Sequence, residues 1–142
     1  MKDYPPIILT DSSILFAYYS QQDNYHKLVC NFFEQCSSEL ITTTACITEV
    51  MYLLNRDYRT QNEFLQDLAQ KLYRSIPLIS EDFIRIKELN EQYADLPGDF
   101  ADLSLIAISE RLNISAIVTL DGDFDIYRRY RKQPFARVYL DP

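Results

Sequence analysis

Short apolar runs alternate along this chain with helical segments of about ten residues or more, and this alternation limits the possible folds more than any other feature. The apolar runs predict strands at 7–10, 40–43, 76–79, 114–120 and 137–140. Helical spacing predicts helices over 12–19, 24–36, 60–73, 80–93 and 100–112, with a further helix around residues 47–54. Consecutive strands joined by a helix pair in parallel through right-handed crossovers. We therefore predict an α/β fold, a three-layer α/β/α arrangement around a central parallel sheet of four to five short strands.

Several local patterns refine this prediction. Ser12 or Ser13 is a suitable cap for the first helix. The helix over 60–73 is expected to turn Phe64, Leu65, Leu68 and Leu72 inward. Pro77 restricts the strand at 76–79 to an edge or an end of the sheet. The helix over 100–112 is apolar in nearly every direction, which is typical of a buried helix.

Length and composition narrow the class of protein. A chain of 142 residues is expected to form one domain over residues 1–142 with a single core. Gly98 and Gly122 are its only glycines, which excludes a Gly-rich phosphate-binding loop. Apolar stretches fall short of the roughly 20 residues of a membrane span. A cytoplasmic protein is the resulting expectation.

The sequence offers little support for cysteine or histidine chemistry. Cys30, Cys36 and Cys46 are odd in number and lack CxxC spacing, so we expect buried free thiols. His26 is the only histidine and lies in a polar stretch far from the candidate acids in sequence. Any catalytic chemistry is therefore expected to rest on carboxylates.

Two acids directly follow predicted strands. Asp11 ends the first apolar run and Asp121 follows Leu120. Ligands of open parallel sheets bind beyond the carboxyl ends of the strands, so both acids are expected at one edge. Each also has a structural alternative, because Asp11 suits a helix cap and Asp121 suits a turn.

Two further acids lie in helices where an acid is not expected. Glu49 flanks the apolar stripe of Ile47, Val50, Met51 and Leu54, where a boundary salt bridge is the alternative. Asp102 lies inside the apolar helix, and a buried carboxylate is normally paired, protonated or bound to a cation. Asp99 lies three residues earlier on nearly the same face, where capping the helix is the alternative role.

Convergence of these acids would require a counter-charge. Two carboxylates about 4 Å apart repel by roughly 4 kcal/mol at an effective dielectric near 20. A set of ligands that consists of oxygens alone suits Mg²⁺ or Mn²⁺ rather than Zn²⁺. Setting aside Asp11, Glu49, Asp99, Asp102 and Asp121 leaves 16 acidic against 14 basic residues, so the overall charge of −7 does not exclude a polyanionic substrate.

Four motifs in this order resemble the PIN-domain metal-dependent ribonucleases, in particular the VapC-type toxins. The resemblance covers nearly the whole chain, from Ile7 to about Leu140. The motifs are Asp11-Ser12-Ser13-Ile14-Leu15 after a strand, Thr48-Glu49-Val50, the segment 99–107, and Thr119-Leu120-Asp121-Gly122-Asp123-Phe124. Each motif alone is weak, whereas four in order at suitable separations are fairly specific.

The resemblance implies a PIN-like fold and hydrolysis of RNA phosphodiester bonds. It implies that Asp11, Glu49, Asp102 and Asp121 are the catalytic residues and hold Mg²⁺ or Mn²⁺, with Ser13, Asp99 and Asp123 in support. It leaves open which of Asp99 and Asp102 lies closer to the metal, and we favour Asp102. It also implies a homodimer and an antitoxin partner, which no pattern in the sequence itself indicates.

A basic run follows the fourth motif. Arg128, Arg129, Arg131 and Lys132 are candidates for contacts with an RNA backbone, and Tyr130 for stacking on a base. A solvated face or an antitoxin contact is the alternative.

Other classes of protein fit less well. The segment 121–125 superficially resembles the motif of haloacid-dehalogenase-type phosphatases, but only a short tail follows it. As an EF-hand loop it would carry Ile126 where glycine is needed and Lys132 where glutamate is needed. The stronger competitor is a PIN-like domain that acts as a non-catalytic RNA- or protein-binding module.

Overall fold

The computed structural model describes residues 3–96 and 98–140. The predicted domain of 1–142 also includes residues 1, 2, 97, 141 and 142, which lie outside this part. The strands are β1 Ile7–Thr10, β2 Glu39–Thr43, β3 Tyr73–Ile76, β4 Ala116–Val118, β5 Arg128–Arg129, β6 Gln133–Pro134 and β7 Ala136–Arg137. The helices are α1 Ser12–Tyr19, α2 His26–Gln35, α3 Thr44–Leu53, α4 Tyr58–Ala69, α5 Ser80–Gln92 and α6 Phe100–Arg111. Short 3₁₀ turns cover Gly122–Asp125 and Tyr130–Lys132.

Five of the described strands form one parallel sheet in the order β3-β2-β1-β4-β7. In its centre, Leu9 of β1 pairs with Ile41 of β2 on one side and with Ile117 of β4 on the other. The strands β5 and β6 form a separate antiparallel hairpin. The predicted α/β class with a parallel sheet of four to five strands is confirmed.

Successive residues of β1 belong to two different hydrophobic core clusters. Ile8 belongs to a core cluster with residues of α1, α2 and α4, whereas Leu9 belongs to a cluster with residues of α5 and α6. Both side chains are fully buried. Since side chains along a strand alternate between the two faces of a sheet, helices must cover both faces. This arrangement is the three-layer fold expected from the sequence.

The boundary between α4 and β3 differs from the prediction. The helix ends at Ala69, and Lys71 takes a left-handed conformation with φ of 63°. Tyr73 was expected in the helix, but it begins β3 and pairs with Leu40. Leu72, beyond the end of the helix, is exposed, and so is Leu65 within it, contrary to the predicted inner face. The strand ends at Ile76, because the following Pro77 has no N–H for the ladder.

The last two sheet strands are shorter than predicted. β4 covers Ala116–Val118, since Ile114 instead donates its N–H to Ser109 O at the end of α6. β7 covers Ala136–Arg137, one residue earlier than the predicted start, although Val138 N still donates to Ile117 O at 2.7 Å. Among the described residues, no helix is long and apolar enough to cross a membrane.

Candidate functional site

The carboxyl ends of β1 and β4 lie side by side. Thr10 pairs with Val118, so Asp11 and Thr119 leave the sheet together. Thr119 Oγ1 donates a hydrogen bond to Asp11 Oδ2 and accepts one from Asp121 N at 2.9 Å. The two acids that follow strands therefore lie at the same edge of the sheet, as the parallel topology requires.

Asp11 caps a helix and also lines the site. Its Oδ1 accepts from Ile14 N at 3.3 Å, which caps α1, and from Ser13 Oγ at 2.6 Å. The residue is only 2% exposed. Burial raises the pKa of Asp11 to about 6; the hydrogen bonds from Ser13, Thr119 and Ile14 oppose this shift and the charge of Asp121 adds to it. The capping alternative is thus correct and orients the carboxylate, whereas the prediction of Ser12 or Ser13 as the cap is wrong, since both lie within α1.

Glu49 lies on α3, half-buried, and accepts a hydrogen bond from Ser12 Oγ. Burial raises its pKa, the bond from Ser12 opposes the shift, and the carboxyls of Asp99 and Asp11 raise it further. The partner found for Glu49 is therefore a hydroxyl at the start of α1, and its charged neighbours are acids. A boundary salt bridge, the structural alternative, does not describe this arrangement.

Asp102 is the most perturbed acid of the site. It is 8% exposed in the first turn of α6, and Tyr127 OH donates to its Oδ2 at 3.3 Å. Burial raises the pKa of Asp102 to about 8, and the charges of Asp99, Asp121 and Asp11 contribute to the rise. The expected burial of this acid within an apolar helix is confirmed.

Asp99 and Asp121 also start short helical segments. Asp99 Oδ1 accepts from Asp102 N at 2.8 Å and so caps α6. Asp121 Oδ1 accepts from Asp123 N at 2.9 Å and so starts the 3₁₀ turn Gly122–Asp125. The structural alternatives for both residues are correct, yet both carboxylates face the same cavity as the other acids.

A single cavity of about 290 Å³ brings the acids together. Its acidic lining residues are Asp11, Asp23, Glu49, Asp99, Asp102 and Asp121. Ser12, Ser13, Phe16, Leu53 and Leu120 complete the lining. Asp123, expected in a supporting role, lies beside this cavity rather than in its lining.

Asp102, Asp121 and Asp123 meet the geometric condition for a shared cation. Each offers one carboxylate oxygen, and these oxygens lie within 4.8 Å of one another. Burial raises the pKa of Asp123, and the charge of Asp121 adds to it. Mutually repelling oxygen donors of this kind fit a hard cation such as Mg²⁺ or Mn²⁺.

Three residues of the site were missed from the sequence. Ser12 holds Glu49, Thr119 holds Asp11, and Tyr127 holds Asp102. Tyr127 also packs so closely on Gly98 that a Cβ at that position would collide with its hydroxyl group. A buried tyrosine needs a partner for its OH, and this was the one available signal.

The lining of the cavity that contains the acids includes no residue of the basic run. Arg128 donates to the carbonyl oxygens of Asp125, Ile126 and Tyr127, and Arg129 donates to Ser109. Arg131 and Lys132 are exposed at the tip of the β5–β6 hairpin. The predicted contacts of these residues with RNA stay a prediction.

The lining of the cavity that contains the acids includes neither cysteine nor histidine. All three cysteines are free thiols, as expected, but only Cys46 is buried; the expected burial is wrong for Cys30 and Cys36, which are partly exposed. His26 shares a hydrogen bond with Ala17 O at 2.8 Å and lines a different cavity, with Cys30.

The class of protein is defined by a three-layer α/β/α domain that gathers carboxylates at the carboxyl edge of its parallel sheet. Within this class, the chain belongs to the PIN-domain family, whose sequence model matches residues 8–130. The predicted family is confirmed.

Two solved structures show the same fold. The VapC20 toxin of Mycobacterium tuberculosis, described as a sarcin-ricin loop cleaving toxin, superposes with a TM-score of 0.79 at 19% identity. That match covers 89% of this chain and 99% of the toxin. A toxin-antitoxin complex from Klebsiella pneumoniae gives a TM-score of 0.60 at 18% identity, over 82% of this chain and 89% of the other. No curated protein matches the chain.

Proposed function

We propose that this protein is a metal-dependent endoribonuclease that hydrolyses RNA phosphodiester bonds. The observation that carries the proposal is the convergence of Asp11, Glu49, Asp99, Asp102 and Asp121 on one cavity. Burial and mutual repulsion raise the pKa values of Asp11 and Asp102 to about 6 and about 8, so the charged cluster is costly without a cation. Membership of the PIN family, which we associate with nucleases, supports the same reaction.

We assign Asp102, Asp121 and Asp123 as the first candidates to hold Mg²⁺ or Mn²⁺, with Asp11 and Glu49 completing the site. Their carboxylate oxygens are the donors that these cations prefer. A bound cation supplies Lewis-acid stabilisation of the negative charge on the attacked phosphate and the leaving oxygen.

The protein's own side chains keep the carboxylates in place. Ser13 and Thr119 each donate to one oxygen of Asp11, and Ser13 Oγ in turn accepts from Leu120 N at 3.0 Å. Asp11 is therefore fixed from both neighbouring strand ends. Burial raises the pKa of Glu49, and this shift brings it nearer to the pKa of a base that works close to neutral pH.

We also propose that the protein is the toxin of a toxin-antitoxin pair and forms a homodimer in the cytoplasm. Two structures of the same fold support the toxin role, since one is described as a sarcin-ricin loop cleaving toxin and the other as a toxin-antitoxin complex. In this proposal residues 1–142 act as one domain. Arg131 and Lys132 contact the RNA backbone, while Arg128 and Arg129 mainly hold the hairpin in position.

The decisive experiment is cleavage of a mixed RNA pool by purified protein with Mn²⁺ or with a chelator. Asp11→Asn is the test variant, because asparagine still caps α1 and still accepts from Ser13. We expect Mn²⁺-dependent cleavage that falls by at least about 100-fold in this variant. Asp95→Asn, which changes an exposed acid outside the cavity, should cleave normally.

Failure would have a clear meaning. If the folded protein binds Mn²⁺ but cleaves no RNA at any concentration, the ribonuclease proposal is wrong. The chain would then be better described as a non-catalytic RNA- or protein-binding module.

A further inference from the structure

The five carboxylates whose convergence carries the proposed function share one feature, since each has at least one oxygen engaged by a hydrogen-bond donor of the protein. An oxygen that already accepts a hydrogen bond has fewer lone pairs left for a cation. The arrangement therefore favours carboxylates that bind a cation through one oxygen rather than through both. The engaged oxygens are Oδ1 and Oδ2 of Asp11, Oε1 of Glu49, Oδ1 of Asp99, Oδ2 of Asp102 and Oδ1 of Asp121.

The donor to Asp102 is held in place by neighbouring aromatic rings. It is the hydroxyl group of Tyr127, which donates to Asp102 Oδ2 at 3.3 Å, and the tyrosine is fully buried. The ring of Tyr127 packs edge-on against those of Phe124 and Tyr93, with centroids 5.2 and 5.1 Å away. Tyr93 is itself fixed, because its OH accepts from Arg128 N at 2.7 Å. Rotation of Tyr127 would break these contacts, so its hydroxyl group is held at one position.

Gly98 leaves the space that this hydroxyl group occupies. A Cβ at position 98 would collide with the OH of Tyr127 and would lie 3.3 Å from Leu103 Cδ2. Gly98 does not have a positive φ, so its backbone would accept an alanine and only the space would be lost. The need for glycine at this position therefore comes from the Tyr127 side chain, whose hydroxyl group reaches Asp102 there.

The cations that suit carboxylates differ in what they require of them. Mg²⁺ demands near-ideal octahedral geometry, whereas Ca²⁺ takes about six to eight oxygens and often both oxygens of one carboxylate. A site whose carboxylates each offer one oxygen at a fixed position suits Mg²⁺, or Mn²⁺, better than Ca²⁺. Among the described residues, no donor reaches Asp102 Oδ1, so this oxygen is the one left for a cation.

We propose that Tyr127 is a positioning residue that makes the site select Mg²⁺ or Mn²⁺ over Ca²⁺. By holding Oδ2, Tyr127 prevents Asp102 from binding a cation through both oxygens. By its close packing, it also limits how far the carboxylate can adjust to a larger ion. Gly98 serves the same selection, because it admits the hydroxyl group. The inference rests on the proposed function for the presence of a cation in the cavity.

Measurements of metal binding without RNA test this inference. Electron paramagnetic resonance of free Mn²⁺ gives the Kd for Mn²⁺, and displacement of Mn²⁺ by Ca²⁺ gives the Kd for Ca²⁺. Tyr127→Phe keeps the ring and removes the hydroxyl group, and Gly98→Ala forces the same hydroxyl group from its position. Tyr93→Phe is the matched control, because it removes a hydroxyl group from the adjacent ring that contacts Arg128 N rather than an acid.

We expect the wild-type protein to bind Mn²⁺ at least about tenfold more tightly than Ca²⁺. Tyr127→Phe should weaken Mn²⁺ binding by about 10- to 100-fold, because Asp102 loses the partner that orients it. It should change Ca²⁺ binding by less than about threefold, because the freed Oδ2 becomes available to the larger ion. Gly98→Ala should lose the preference in the same way. Tyr93→Phe should keep the wild-type ratio of the Kd for Ca²⁺ to the Kd for Mn²⁺.

The outcomes separate this inference from the proposed function. The same Kd ratio in Tyr127→Phe as in Tyr93→Phe overturns the inference, even if the wild-type protein cleaves RNA with Mn²⁺. A lower ratio in Tyr127→Phe supports the inference, even if the wild-type protein cleaves no RNA. If Gly98→Ala fails to fold, Tyr127→Phe decides alone, since its ring still fills the same space. Equal affinities of the wild-type protein for Mn²⁺ and Ca²⁺ would also overturn the inference.

Discussion

Asp102 bears the largest electrostatic cost of any single residue in the site. Burial and three neighbouring acids raise its pKa to about 8, so without metal the carboxyl group is largely protonated at neutral pH. Cation binding must displace this proton. Through this residue, both the stability of the protein and its metal binding should depend on pH.

This link predicts how stability depends on pH in the presence of a chelator. The folded pKa of Asp102, about 8, lies above its ordinary value of 3.8, so the folded state binds the proton more tightly than the unfolded state does. Its contribution to stability is fully present below about pH 4 and is lost as pH rises towards about 8. Asp102→Asn removes the titrating group, while the asparagine oxygen can still accept from Tyr127 OH.

Relative to the wild-type protein, we expect Asp102→Asn to gain stability as pH rises from about 5 to about 8, by on the order of a few kcal/mol, and then to level off. Urea unfolding at several pH values measures the difference. Asp95→Asn, at an exposed position, should show no such trend. A difference in unfolding free energy between Asp102→Asn and wild type that stays constant with pH would contradict the raised pKa of Asp102.

At the residue scale, the sequence revealed the acids but not the groups that orient them. Asp102 and Glu49 were recognisable because an acid within or beside an apolar stripe is costly. Ser12 and Thr119 gave no comparable signal, since a hydroxyl side chain is equally common at caps and strand ends. Their contacts with Glu49 and Asp11 join positions 37 and 108 residues apart, so they depend on the packed fold.

Among the elements, the β5–β6 hairpin combines positive charge with an unfavourable backbone. Arg131 and Lys132 have φ of 59° and 61° at its tip, a left-handed conformation in which glycine or asparagine is preferred. The sequence keeps two exposed basic residues there instead. Contacts between the tip and RNA phosphates would explain why basic residues occupy these unfavourable positions.

The change Lys132→Asn tests this role of the hairpin. Asparagine tolerates the left-handed conformation, so stability should rise slightly, by about 0.5–1 kcal/mol. Loss of one phosphate contact should lower the slope of log K against log salt by about 0.7 for single-stranded RNA. Lys71→Asn is the matched control, because Lys71 has φ of 63° at the end of α4 and should change stability alone. Equal salt slopes for the two variants would mean that Lys132 makes no contact with the RNA phosphates.

At the same scale, the centres of the elements were predicted better than their ends. The helical spacing of Phe64, Leu68 and Leu72 continues past Ala69, where the helix stops. The chain leaves the helix there because Tyr73 pairs with Leu40 of β2, and sheet pairing overrides the local pattern. The bounds of β4 and β7 also differ from the prediction, since their ladders have few residues and their bounds depend on neighbouring strands.

For the molecule as a whole, the alternation of strands and helices was sufficient to predict the three layers. It was sufficient because crossover connections and the period-two pattern of β1 leave few arrangements that bury both Ile8 and Leu9. The strand order was not predictable, because every central strand is similarly short and apolar. The position of Glu49 and Asp102 in one cavity follows from that order and from the packing of α3 and α6.

Metal binding should stabilise the whole domain in a pH-dependent way. A cation bound only by the folded state raises the midpoint of unfolding, by about 5–10 °C at a hundredfold excess over its Kd. The cation competes with protons on Asp11 and Asp102, whose pKa values are about 6 and about 8. We therefore expect the rise caused by Mn²⁺ to be small at about pH 5.5 and to grow until about pH 8.

Thermal unfolding in matched Mn²⁺ and chelator samples measures this dependence. Asp102→Asn should lose most of the Mn²⁺-dependent rise at every pH, whereas Asp95→Asn should keep it. A midpoint that rises equally at all pH values would mean that the cation binds outside the protonated cluster. Absence of any rise in the wild-type protein would contradict the role of the cavity as a cation site, and protonation alone would then offset the repulsion among its acids.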